Sequence, residues 1–103
     1  MTIIDNIAPH EFHYWDMAKE HFDVIPFGLY EMFDSVVEDI LGDECEAYQL
    51  NDLLAHEPEK VFAQLGYNLQ GFKLPQTMAY RARKNPELLY TKEFEIFDTE
   101  ELD

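Results

Sequence analysis

The chain has 103 residues, of which 47% are apolar and 15% aromatic, and it carries 22 acidic against 7 basic side chains, a net charge of −15. That length sets one domain with a modest core, and the aromatic content argues for a folded chain despite the charge. The charge disfavours binding to nucleic acid or to an anionic membrane surface and favours basic protein surfaces.

The charge is also segmented. Met1–Glu59 holds 15 carboxylates against Lys19 alone, a balance of −14. From Lys60 to Lys84 there are five cations (Lys60, Lys73, Arg81, Arg83, Lys84) and no acid, giving +5. Asn85–Asp103 holds seven acids and Lys92, giving −6. A surface charged only for solubility tends to intersperse the two signs.

Met1–Asp5 is a short apolar start, suited to an edge strand or a docked arm. Asp5 or Asn6 can cap a helix beginning near Pro9, whose helical period runs through Phe12, Trp15, Met17, Ala18 and Phe22. Pro26 biases Ile25 out of the helical region and closes this segment.

Phe27–Gly42 is the clearest pattern in the chain. Leu29, Met32, Phe33, Val36, Val37, Ile40 and Leu41 fall at i, i+3, i+4, i+7 spacing, the apolar stripe of one helix face. Val36 and Ile40 lie at its centre and are expected to be buried. Pro26 opens the helix and Gly42 ends it. The opposite face carries Glu31, Asp34, Ser35, Glu38 and Asp39, with no cation. Residues three and four apart lie about 5–6 Å apart at Cβ, so Glu31, Asp34 and Glu38 form a negative row. Asp43, Glu44 and Glu46 extend it beyond the helix end, where the macrodipole disfavours acids. Helix stability therefore does not explain their placement.

Asn51 is expected to cap a short helical segment that begins at Asp52. Pro58 opens a second one, PEKVFAQL, closed by Gly66, with Val61, Phe62 and Leu65 facing the core. Tyr67–Pro75 reads as a loop anchored by Leu69, Phe72 and Leu74. Met78, Tyr80 and Ala82 then alternate with Ala79, Arg81 and Arg83. Lys84–Glu87 forms a turn, and alternation resumes over Tyr90–Phe97. This predicts a β-hairpin, with a helix through Pro86–Phe94 as the competing reading. Asp98–Asp103 is an acidic, frayed tail. The fold expected is α+β: three or four helices packed with a C-terminal β-hairpin, in a single domain over residues 1–103.

Catalytic chemistry finds little support. His10, His13, Asp16, Glu20 and His21 can fall on neighbouring turns, but the HEXXH spacing of a zinc site is absent. Asp34 with Glu38, and Asp39 with Asp43, are carboxylate pairs of the kind used in acid–base work, yet on an exposed face such pairs are solvated. Asp39–Glu46 does not match a calcium loop. Cys45 lies between Glu44 and Glu46, where negative charge opposes thiolate formation. Ser35 is the one serine and no nucleophile motif surrounds it. Arg81–Lys84 forms a small basic patch, outweighed by the overall charge and expected to neutralise the acidic helix. Tyr14, Trp15, Phe22, Phe27, Tyr30 and Phe33 are expected to be mostly core. No catalytic residue, cofactor or metal site is expected. A single cysteine, with no apolar leader and no apolar run of 18 residues, fits a protein of a reducing cytoplasm.

The expectation that remains is a binding protein. In size, acidity and lack of catalytic motifs the chain resembles the small phage-encoded nucleic-acid mimics, the anti-CRISPR and antirestriction type. The resemblance rests on Glu31, Asp34, Glu38, Asp39, Asp43, Glu44 and Glu46. No family motif is matched, so no residue role is carried over. It implies a partner that is a basic nucleic-acid-binding protein or complex, inhibited by occupation of its DNA or RNA surface, with no membrane and no direct nucleic-acid contact. The alternative is a non-catalytic structural or adaptor protein, monomeric or oligomeric, whose acids only keep it soluble.

Overall fold

A computed structural model describes the backbone of Thr2–Ile3 and residues 7–95 in full. The described chain is mostly helical. A two-residue strand, Thr2–Ile3 (β1), pairs in parallel with Glu44–Cys45 (β2), Thr2 opposite Glu44 and Ile3 opposite Cys45. The apolar start therefore does contribute an edge pairing. The expected caps Asp5 and Asn6 lie outside the described residues.

The segment expected to be one helix from Pro9 is divided. Pro9–Glu11 forms a 3-10 turn, the chain then runs extended, and α1 spans Asp16–Asp23. In the extended link Phe12 and Tyr14 are buried while His13 and Trp15 are exposed, the alternation of a strand-like run. Ile25 is buried beyond the end of α1.

A 3-10 turn at Phe27–Leu29 leads into α2, Tyr30–Leu41, which ends at Gly42 with φ 90°. Phe33 and Val37 are fully buried and Val36 nearly so. Ile40, expected in the core, is 37% exposed, and Met32 is 49% exposed. The stripe has the right phase, but its far edge at Met32 and its last turn at Ile40 outrun the elements packed against it. Phe27, also expected in the core, is 83% exposed, and Trp15 is 45% exposed.

α3 spans Ala47–His56, so Asn51 is an interior helical residue and not a cap. It is buried, and its Oδ1 accepts the Trp15 N–H at 3.0 Å. A polar side chain with a tertiary partner is stable inside a helix. α4, Pro58–Leu65, begins and ends as expected: Pro58 holds the first turn and Gly66 adopts the left-handed conformation (φ 80°, ψ 25°). Val61, Phe62 and Leu65 are buried. In the following loop Leu74 is buried, Leu69 half-buried and Phe72 44% exposed.

The C-terminal hairpin does not exist among the described residues. α5 spans Gln76–Lys84, and 3-10 turns follow at Pro86–Tyr90 and Lys92–Phe94. The alternation was misleading because the residues that meet the core are Ala79 and Ala82, three apart on one helix face. Gln, Met, Ala, Arg and Lys are also good helix formers. The two 3-10 turns instead supply Leu89 and Phe94 to the core. Ile96, Phe97 and the acidic tail at 98–103 lie outside the described residues.

Around this core, α1 packs on α3, α2 on α4 and on the Pro9–Glu11 turn, and α4 on α5 and the Pro86–Tyr90 turn. Phe33, Val37, Leu50, Leu54, Val61, Phe62, Leu89 and Phe94 meet at its centre. On the outward side of α2 the Pro9–Glu11 turn reaches Asp34, while Glu31, Ser35 and Asp39 stay exposed among the described residues.

Candidate functional site

The acidic residues of α2 and its following loop fall into two groups. Asp34 and Glu38 are engaged within the protein. Asp34 Oδ1 accepts the backbone N–H of His10 at 2.9 Å, and Oδ2 lies 2.6 Å from His10 Nδ1. The ring of His10 stacks on Tyr30, centroids 5.1 Å apart, and Tyr30 stacks in turn on Phe22 at 5.4 Å. This clasp fastens the Pro9–Glu11 turn across the middle of the acidic row. Asp34 is half-buried, as is Glu38 one turn on, which also has an interaction partner.

The second group is Glu31, Asp39, Asp43, Glu44 and Glu46. All five are exposed, and among the described residues none enters an ion pair. Glu31 and Asp39 lie on α2 two turns apart, about 12 Å along the axis. Asp43, Glu44 and Glu46 follow the helix end, where Glu44 also carries a rung of the strand pair. At Glu46 the backbone N–H donates to Gln49 Oε1 at 2.8 Å and starts α3.

The expected neutralisation by the basic stretch does not occur among the described ion pairs. Lys60 bridges Glu57 within one turn at 3.0 Å, and Arg81 grips Glu93 with both terminal nitrogens, at 3.0 and 3.3 Å. The Glu93 carboxyl is held below its ordinary range by that hydrogen bond and by the Arg81 charge. Lys84 lies over the ring of Tyr80 at 5.0 Å. Lys19, the one cation of the first 59 residues, bridges Asp23 inside α1. No described ion pair joins an α5 cation to α2, so the α2 face keeps its negative field.

The histidines considered for metal binding are not brought together. His10 turns to Asp34, His13 is exposed, and His21 Nδ1 bonds the Leu54 carbonyl at 2.6 Å, tying α1 to α3. Among the described residues no group of three or more His, Cys, Asp or Glu side chains is placed to hold a metal ion. Cys45 is buried, and burial pushes its thiol pKa up. No helix of the described residues is long and apolar enough to cross a membrane.

Sequence reasoning missed the surface beside the acidic face. Asp39 and Lys60 line a cleft of about 430 Å³ with Val36, Ile40, Gln64 and Pro86. Ile40 is shared with a neighbouring groove of about 470 Å³, which includes Leu41, Tyr48, Asp52 and Leu53. The signal available was the length of the apolar stripe, six positions of it on α2, which α4 covers only in part.

No family model matches this chain, and neither a curated protein nor a solved structure matches it.

Proposed function

We propose that this chain is an acidic binding protein. It occupies the DNA- or RNA-holding surface of a basic partner, as the anti-CRISPR and antirestriction inhibitors it resembles do. The observation that carries this reading is the set of five exposed carboxylates, Glu31, Asp39, Asp43, Glu44 and Glu46, outside every described ion pair, while Lys19, Lys60 and Arg81 pair with other acids. A nucleic-acid strand presents one charge per ~3.4 Å. The exposed carboxylates of α2 and the loop after it offer Lys and Arg side chains a sparser anionic track, with Glu31 and Asp39 about 12 Å apart along the axis and Asp43, Glu44 and Glu46 closer together in sequence.

Asp34 has a structural role in this reading, as the anchor of His10, and the contact falls to the five exposed acids. The reaction performed is none; the outcome is exclusion of nucleic acid. The test is to capture partners of the intact protein from a bacterial lysate and elute with salt. Each eluted protein is then asked whether the chain displaces DNA or RNA from it. Displacement that weakens steeply with salt supports the proposal. Partners that keep their nucleic acid, or that bind independently of salt, point instead to the adaptor alternative.

A further inference from the structure

Beside the acidic face, α2 carries an apolar row that is exposed at its two ends. Met32, Val36 and Ile40 stand at i, i+4 and i+8, so they line up along the helix over about 12 Å. Met32 is 49% and Ile40 37% exposed, with Val36 filling the floor between them. Glu31, Ser35 and Asp39 form the adjoining row by the same spacing, one residue round the helix. At the Ile40 end the ridge falls into two clefts, one towards α4 and Pro86, the other towards Tyr48 and Asp52 of α3. Tyr48 is 56% exposed there.

We infer that this ridge is the anchor of the partner interface, and that what docks on it is a cationic amphipathic helix of the partner. The inference rests on the binding reading above and names the partner's chemistry. Helix-in-groove recognition uses apolar anchors at i, i+3 or i+4 and i+7 on the incoming helix. A two-turn ridge that opens into two clefts at Ile40 accepts that pattern. Charge decides the flanks. Glu31 and Asp39 border the ridge on one side and Asp52 borders the second cleft, all exposed and outside every described ion pair. The one cation in the first cleft, Lys60, is bridged by Glu57 at 3.0 Å. An incoming helix with Lys or Arg beside its apolar stripe therefore meets carboxylates where its cations lie. Affinity resides in the buried apolar anchors, while the charges set encounter rate and orientation.

The test uses three synthetic ligands of equal charge: a Leu/Lys peptide with all leucines on one helical face, a shuffled peptide of the same composition, and oligolysine. Dissociation constants are read by fluorescence anisotropy at low and high salt, with thermal melts confirming the fold of each variant. The expected result is tenfold or tighter binding of the amphipathic peptide over the shuffled one. Met32→Ser with Ile40→Ser should erase that preference and leave oligolysine binding as it was; Ile40→Thr alone should reduce it in the same direction. Glu31→Gln with Asp39→Asn should weaken all three ligands. Equal binding of the two peptides to the wild type, or no change in the Ser variant, overturns the ridge as an anchor while salt-dependent oligolysine binding leaves the charge reading standing. If oligolysine binding ignores both salt and the carboxylate changes, the charge reading itself fails. Sedimentation supplies the remaining outcome: a wild-type dimer dissolved by Met32→Ser, Ile40→Ser makes a second copy of the chain the occupant and overturns the proposal.

Discussion

Asp34 holds His10 twice, by the backbone N–H at 2.9 Å and by Nδ1 at 2.6 Å. A residue in the middle of the acidic row thus serves to attach the Pro9–Glu11 turn to α2. Charge-assisted hydrogen bonds contribute about 1.5–3 kcal/mol, less where solvent reaches them, and both side chains are partly exposed. Asp34→Ala should therefore destabilise the fold by about 1–2 kcal/mol in denaturant unfolding. The change should leave partner binding near wild type once the protein is folded. Glu31→Gln should do the reverse. A partner affinity lost with Asp34→Ala but kept with Glu31→Gln would misplace the interface.

The burial of α2 separates two residues that its sequence pattern treats alike. Phe33 is fully buried, so Phe33→Ala should cost about 3–5 kcal/mol of stability. Ile40 is 37% exposed between two clefts, so Ile40→Ala should cost no more than about 1 kcal/mol. Paired urea melts decide this. A larger loss at Ile40 than at Phe33 would mean the helix is rotated from the phase described.

Tyr90 donates its hydroxyl to Glu59 at 2.8 Å. Burial first, and then that bond, push its pKa up to about 12 from an ordinary 10.0. A raised folded-state pKa favours the protonated form. Its contribution to stability is fully present below the unfolded value and is lost as pH rises through about 12. Tyr90→Phe should thus remove one late-titrating phenol from the ultraviolet alkaline titration and flatten the stability loss between the two values. Unchanged late titration in Tyr90→Phe would assign that phenol elsewhere.

Gly71 sits at φ 89°, and a Cβ there would lie 2.7 Å from the Val24 carbonyl oxygen. Both the backbone conformation and the contact exclude a side chain. Gly71→Ala should cost more than the ~1 kcal/mol typical of a left-handed position. The loss should appear in hydrogen exchange first at the Asn68 loop, where Asn68 Oδ1 accepts from Gln70 and Phe72.

The parts of this fold that could be read from residues alone were those held by local rules. Pro58 and Gly66 bracket α4, and the stripe through Phe33 and Val37 phases α2. What could not be read depended on distant partners. Asn51 and Asn68 look like surface or capping residues until Trp15 and Glu95 are brought to them. The run from Met78 to Arg83 alternates in polarity and also repeats Ala at a spacing of three, and only α4 and the Pro86–Tyr90 turn, packed against it, select the helix. Of the seven acids marked as a site, local spacing placed them on one helix and its following loop. It could not foresee His10 closing on Asp34 from 24 residues away.

The most direct measurement is competition for the lysate partner between this chain and the partner's own DNA or RNA, comparing wild type with a combined Glu31→Lys, Asp39→Lys, Asp43→Lys variant. These side chains are exposed and outside every described ion pair, so the variant should fold. Nucleic-acid displacement should fall at least tenfold in the variant, and wild-type displacement should weaken as salt rises. A variant that displaces nucleic acid as well as wild type at every salt concentration would contradict occupation of a basic surface by this face.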